Sequence, residues 1–225
     1  MPEAVIFDLD GLLIDSERVW DEARRGFVIA HGGRWHEGAQ REMMGMSSLE
    51  WSRYIRHELG VKMSPEQISG EVVLRLSDLY RASLPLVPGA GEAVERLAAR
   101  WPLALASSSN RELIDLVLEL SEMGRRFAVT LSSEEVARGK PAPDIYIEAA
   151  RRLGAEPERC VAIEDSHNGI LSAAAAGMAV IAVPNREFPP GKDALEKAAA
   201  TLASIGELTP EAVEAAARRA DRGGR

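Results

Sequence analysis

The chain has 225 residues, 46% of them hydrophobic and 28% charged, with a formal net charge of −8, enough for one domain with a sizeable core and a substantial insertion. That acidic balance argues against non-specific binding to nucleic acid or an anionic membrane, both of which require a basic face; an anionic substrate stays possible where a metal ion and local cations set the potential of a cleft. The lone cysteine, Cys160, excludes an intramolecular disulfide and a thiolate metal cluster within one chain, which fits a reducing compartment.

In chain order, Ala4-Val5-Ile6-Phe7 is the first short apolar run and predicts a buried strand. From about Ser16 to Pro85 no strand pattern occurs, and the stretch reads as four helices. Trp20, Ala23, Phe27 and Ala30 fall on one face of the first. Ser47-Ser48-Leu49-Glu50 has the capping-box spacing, and Ser64-Pro65-Glu66-Gln67 supplies a cap, a proline at the first helical position and a polar third residue. Further strands are expected over 102–106, 128–131, 160–163 and 179–183, with amphipathic helices over 112–120, 143–153 and 169–176. Continuous apolar strands are the habit of a parallel sheet covered on both faces, and their alternation with helices predicts a Rossmann-like, doubly wound α/β core. The core takes residues 1–15 and 86–225, and a helical cap takes 16–85. Ile14-Asp15-Ser16 is the outgoing hinge and Leu84 to Gly89 the return; Arg218 to Arg225 read as a frayed end.

Polar groups gather at the carboxyl ends of the predicted strands. Asp8 and Asp10 follow the first strand and, in extended chain, point to the same side before Gly11 turns the backbone. Two carboxylates held so close repel unless a cation or a proton is shared, although one of them could simply cap a helix. Ser107-Ser108-Ser109-Asn110 opens the helix after the next strand and offers hydroxyl and N–H donors to a phosphate. Lys140 lies in Gly139-Lys140-Pro141-Ala142-Pro143-Asp144, where two prolines stiffen the backbone; the spacing is not that of a P-loop. Glu164-Asp165-Ser166 closes the strand at 160–163. Each signal is weak alone, and the set is not.

The order Asp-x-Asp-Gly, strand-end Ser, Lys-Pro-x-Pro-Asp and Glu-Asp-Ser resembles the haloacid dehalogenase-like hydrolases over nearly the whole chain. The local form from Phe7 to Glu17 is similar to their sugar-phosphate phosphatases and to β-phosphoglucomutase, which carry a helical cap after the first strand. The resemblance implies an Mg²⁺-dependent phosphatase acting on a small phosphorylated metabolite, with a sugar phosphate favoured. Asp8 is then the nucleophile and Asp10 the acid and base, with Ser107 and Lys140 holding the phosphoryl oxygens. The implied Mg²⁺ ligands are the Asp8 carboxylate, the Asp10 carbonyl, Asp165 and water, with Glu164 bound directly or through water. Glu17, Ser108 and Asn110 are placed near the substrate.

The mutase branch carries a histidine where Trp20 stands and an arginine where Ser48 stands, so hydrolysis is preferred to mutation. A non-catalytic phospho-acceptor of the receiver kind lacks both the cap and a second aspartate placed like Asp10. Cys160 and Trp20 are read as packing residues, and His31, His36 and His57 as exposed cap positions. Neither a signal-peptide layout after Met1 nor an uncharged apolar run of about 18 residues occurs. A cytoplasmic monomer without nucleic-acid or membrane partners is expected.

Overall fold

The computed structural model describes residues 1–44, 46–185 and 188–223, with side chains as far as residue 220. Six strands, β1 (Ala4–Phe7), β2 (Leu103–Ser107), β3 (Phe127–Ser132), β4 (Cys160–Glu164), β5 (Ala179–Ala182) and β6 (Ala200–Thr201), form one sheet in the order β3-β2-β1-β4-β5-β6. Every neighbouring pair is parallel. The chain runs outward from β1 through β2 to β3, then returns to the other side at β4. The reversal therefore falls between β1 and β4, where a doubly wound sheet opens a crevice beyond its strand ends.

The two-residue period of the strands sorts their side chains between two cores. Val5 and Phe7 join Leu103, Leu105, Val161 and Ile163 on one face, under α5 (Ala90–Ala98), α6 (Arg111–Leu120) and α10 (Pro210–Gly223). Ala4 and Ile6 join Ala104, Ala106, Ala162 and Val180 on the other, under α7 (Asp144–Leu153), α8 (His167–Ala175) and α9 (Lys192–Leu195). With both faces covered, all four residues of β1 are buried, and each large one contributes roughly 2 kcal/mol by leaving water.

Between β1 and α5 the regular elements among the described residues are four helices, α1 (Glu17–Ala30), α2 (Ala39–Met43), α3 (Ser48–His57) and α4 (Pro65–Ala82). Both expected capping boxes are present; at the second, Gln67 N donates to Ser64 Oγ at 3.2 Å and Ser64 N to Gln67 Oε1 at 3.0 Å. The outgoing and returning segments lie side by side. Asp15 N donates to Pro85 O at 2.7 Å and Val87 N to Leu13 O at 3.0 Å, around an antiparallel bridge between Ile14 and Leu86. The cap is thus joined to the sheet by two paired segments, and its α4 packs on α6 of the core.

Some expectations need correction. The buried stripe of α1 runs through Trp20, Ala23, Arg24, Phe27 and Val28, while Ala30, at the helix end, is exposed. The short edge strand β6 was not anticipated, because two residues carry no readable alternation. The end expected to fray continues α10 to Gly223, where Arg219 Nη1 donates to Ala199 O at 3.1 Å; residues 224–225 lie outside the described residues. Among the described residues no helix is long and apolar enough to cross a membrane.

Candidate active site

Parallel register sets the centre of the site. Phe7 pairs with Leu105 on one side and with Ile163 on the other, so the next residues, Asp8, Ala106 and Glu164, arrive level at the sheet's carboxyl edge. Lys140 enters among them from the loop before α7, through a cis Lys140–Pro141 bond. Its Nζ donates to Asp8 Oδ1 at 2.6 Å, to Glu164 Oε1 at 2.6 Å and to Ala106 O at 3.0 Å. All three ammonium hydrogens are thereby used. Burial draws the Lys140 ammonium down, but the carboxylates of Asp8 and Glu164 outweigh it and hold the group well above its ordinary range.

Glu164 is fully buried and saturated with donors. Tyr146 Oη donates to its Oε1 at 2.9 Å, while Asp165 N, Ser166 N and Ser166 Oγ each donate to Oε2 at 3.0 Å. Gly169 lies so close that an added Cβ would overlap the Glu164 carboxylate. Asp165 contrasts with this. Its Oδ1 is buried with no hydrogen-bond partner among the described residues, and burial, then the charges of Glu164 and Asp8, hold its carboxyl well above the usual carboxylate range. Gly11 takes φ +80° against it, and a Cβ there would strike Asp165 Oδ2.

Asp8 is pushed up to about 8, first by burial and then by the neighbouring carboxylates of Glu164 and Asp10, despite Lys140. Oxygens of Asp8, Glu164 and Asp165 all lie within 4.8 Å of one another. One ammonium against this many buried carboxylates leaves a surplus of negative charge. The unpartnered Asp165 oxygen beside Asp8 fits a hard, oxygen-preferring cation, and Glu164, whose oxygens are already engaged, is the least free of the three to bind it.

The Asp10 carboxylate is held from two sides. Ser107 Oγ at 3.1 Å and Ser109 Oγ at 2.8 Å donate to Oδ2 from the core; Ser16 Oγ at 2.8 Å and Trp20 Nε1 at 3.4 Å donate to Oδ1 from the hinge and cap. A cavity of 590 Å³ opens in front of these groups, lined by Asp8, Asp10, Lys140 and Asp165 from the core and by Glu17, Trp20, Arg24 and Arg41 from the cap. The apolar part of its wall comes from Met43, Met44 and Phe188 to Pro190.

The expected residues fall into distinct places. Asp8, Asp10, Lys140, Asp165, Ser108 and Glu17 all line the cavity. Glu164 sits behind Lys140 and Asp165. Ser107 is wholly buried and turned to Asp10 rather than lining the cavity, since its Oγ also accepts from Ser109 N at 3.0 Å. Asn110 is not a lining residue; its Nδ2 donates to Glu134 Oε1 at 2.7 Å, fixing the start of α6 to the loop after β3. Cys160 is buried, and His31, His36 and His57 are exposed. Sequence reasoning did not single out Ser16, Arg24 and Tyr146. It read Trp20 as packing, whereas this residue both packs on Trp51 and lines the cavity.

A doubly wound sheet with a helical cap after β1, and a buried carboxylate–lysine centre at its switch point, defines a capped α/β enzyme of the phosphoryl-handling type. A family model described as haloacid dehalogenase-like hydrolase matches residues 2–177, and the chain belongs to that family. It is 33% identical over 208 residues to a phosphorylated carbohydrates phosphatase of Thermotoga maritima, covering 92% of this chain and 96% of the relative. It is 34% identical over 188 residues to hexitol phosphatase B of Escherichia coli, covering 82% and 84%. The crystal structure of CbbY from Rhodobacter sphaeroides in complex with phosphate superposes with a TM-score of 0.85 at 27% identity, over 95% of this chain and 100% of that one.

Proposed function

We propose that the chain is an Mg²⁺-dependent phosphatase of a small sugar or polyol phosphate, working through an aspartyl phosphate on Asp8. That it is a phosphoric monoester hydrolase rests on the family and on relatives named as phosphatases. The observation that carries the rest is the pairing of Asp8, bonded to Lys140 and flanked by the unpartnered oxygen of Asp165, with an Asp10 held separately by hydroxyl donors.

In this reading the Asp8 carboxylate, the Asp165 carboxylate and the Asp10 carbonyl would hold Mg²⁺, which would offset the charge of the phosphoryl oxygens. Asp8 attacks phosphorus and the bond to the leaving oxygen breaks, while Asp10 gives that oxygen a proton. Water then attacks phosphorus, Asp10 takes the water's proton, and the bond to Asp8 breaks, releasing phosphate. The hydroxyls of Ser16, Ser107 and Ser109 can rotate to donate to Asp10 or to accept from it, so they serve both of its states; the Trp20 indole only donates. Lys140 remains charged throughout and faces the phosphoryl oxygens, Ser108 supplies a further donor, and Glu17 meets a substrate hydroxyl from the cap. Glu164 orients Lys140 and the Asp165 loop.

The core is assigned to 1–15 and 86–225 and the cap to 16–85, moving about the paired hinge, with the protein a cytoplasmic monomer. A mutase reading is not favoured: Trp20 stands at the position of the mutase histidine, and Ser48 is buried away from the cavity lining. The test is phosphate release from sugar and polyol phosphates with Mg²⁺ and with EDTA. Asp8→Asn should abolish release, and Asp10→Asn should leave a slowly hydrolysed phosphoenzyme. Full turnover by Asp8→Asn, or conversion of a sugar phosphate without phosphate release, would refute the reading.

A further inference from the structure

We propose that Arg24 is a specificity-determining residue that binds a second oxyanion of the substrate, so that the preferred substrates are phosphate monoesters bearing a carboxylate or another phosphate at the end remote from the scissile ester. This rests on the phosphatase reading above and names its substrate class. Arg24 comes from α1 and is only 5% exposed, yet it lines the cavity. Its guanidinium lies 4.2 Å from the ring centroid of Trp20 and 5.0 Å from that of Trp51, beside two indoles that meet edge to face with centroids 5.8 Å apart. The aromatic faces attract the cation, but they do not satisfy its N–H groups as an oxygen acceptor would.

Those N–H groups are poorly used. Among the described residues the one hydrogen bond is Nη1 to Gln40 Oε1, long at 3.3 Å; Nε is buried without a partner, and no carboxylate reaches ion-pair distance. Burial lowers the group to about 10, partly offset by Glu17 and Asp10, so it stays charged near neutrality. A buried cation in this condition is costly unless an anion completes it, and a guanidinium matches the paired oxygens of a carboxylate or phosphate. Glu17 does not fill that role, because the Gln40 amide stands between them and donates Nε2 to Glu17 Oε2 at 3.1 Å. The amide holds the two charges apart, leaving Glu17 to accept from a hydroxyl and Arg24 to receive an anion.

The position relative to the chemistry is also defined. Trp20 reaches Asp10 Oδ1 with its Nε1 and covers Arg24 with its ring. The guanidinium therefore lies one indole away from the group assigned to protonate the leaving oxygen. A substrate whose phosphate sits at Asp8 and whose carbon chain runs past Trp20 brings its far end to Arg24, with Arg41 on the same wall.

The test compares kcat/KM for phosphate release, with Mg²⁺, from sorbitol 6-phosphate and 6-phosphogluconate, which share a carbon chain and differ at C1 as alcohol and carboxylate. A hexitol 1,6-bisphosphate gives the phosphate arm, and p-nitrophenyl phosphate reports bare phosphatase chemistry. The wild type should favour at least one anion-bearing substrate over sorbitol 6-phosphate by about tenfold or more, the scale of a charge-assisted hydrogen bond; the larger ratio tells carboxylate from phosphate. Arg24→Met, which keeps an apolar stem beside the indoles without the charge, should bring that ratio to about one, and Arg24→Lys should restore part of it. Equal or better turnover of sorbitol 6-phosphate by the wild type overturns the proposal, even if the variants fail to fold. So does an unchanged ratio in Arg24→Met. Hydrolysis of p-nitrophenyl phosphate without any anion preference sinks the Arg24 assignment alone, whereas no release from any substrate sinks the phosphatase reading with it.

Discussion

Replacing Lys140 by methionine keeps the side-chain stem and deletes the charge at the junction of three strand ends. The Nζ lies 2.6 Å from both Asp8 and Glu164, and the side chain is 4% exposed, so water cannot take its place without reopening the core. Removing one partner of a buried ion pair typically costs about 3–5 kcal/mol, because the other charge stays behind unpaired. That loss should depend on pH. In the wild type, Asp8 releases its proton at about 8; without Lys140 it holds the proton to still higher pH, whereas in the unfolded chain it ionises near 3.9. A folded state that binds the extra proton loses stability as pH rises, by about 1.4 kcal/mol per pH unit for each such proton. As far as Asp8 is concerned, the wild type levels off above pH 8 while Lys140→Met goes on falling, so the gap between them widens from pH 6 to pH 9. Urea unfolding of both proteins in EDTA across that range measures it, and phosphate release with Mg²⁺ should fall about 100-fold or more. A gap below about 1 kcal/mol that does not change with pH would refute the reasoning, since it is the behaviour of a solvated pair.

In EDTA the wild type itself should become less stable between pH 6 and pH 8, because Asp8 and Asp165 both have folded pKa values raised above their unfolded ones; saturating Mg²⁺ should flatten the curve by replacing the proton, and a stability that rises with pH would contradict this. Gly11→Ala places a Cβ at φ +80° against the Asp165 carboxylate, which should cost about 1–3 kcal/mol in unfolding free energy and weaken Mg²⁺ activation about tenfold or more in a metal titration. Cys160 is buried and its thiol is pushed up to about 12, so a disulfide exchange reagent at pH 8 should label the native protein slowly and the urea-unfolded chain at once; equal rates would place the thiol at the surface.

The core was legible because its chemistry is tied to strand ends. An apolar run that stops at Asp8, at Ser107 or at Glu164 announces both an element and what lies beyond it, and parallel register then brings those positions level. Which way each side chain turns was not legible. The resemblance places Ser107 at the phosphoryl oxygens and gives Ser109 no role of its own, yet the strand period buries Ser107 and the turn brings Ser109 to the cavity wall. Asn110 looked like a phosphate donor, but its amide is committed to Glu134, a loop residue 24 positions away that no local pattern connects to it. Tyr146 is similar: the period of α7 marks it as buried, and only the fold brings its hydroxyl to Glu164.

The cap resists reading for a different reason. In a helix the same stripe serves for packing and for facing a ligand, and a charged residue on that stripe passes for a break in amphipathicity. Arg24 sits one turn beyond Trp20, at a buried position of α1; a stripe drawn through apolar residues alone passes over it. The partners that give it meaning lie on α2, as Gln40, and on α3, as Trp51, and their spacing from Arg24 follows from how three helices pack. A centre built on a parallel sheet can therefore be written in local motifs, because the sheet supplies the geometry. A specificity pocket built between short helices is written in pairwise contacts, and the buried guanidinium without an anion becomes visible only when those contacts are in place.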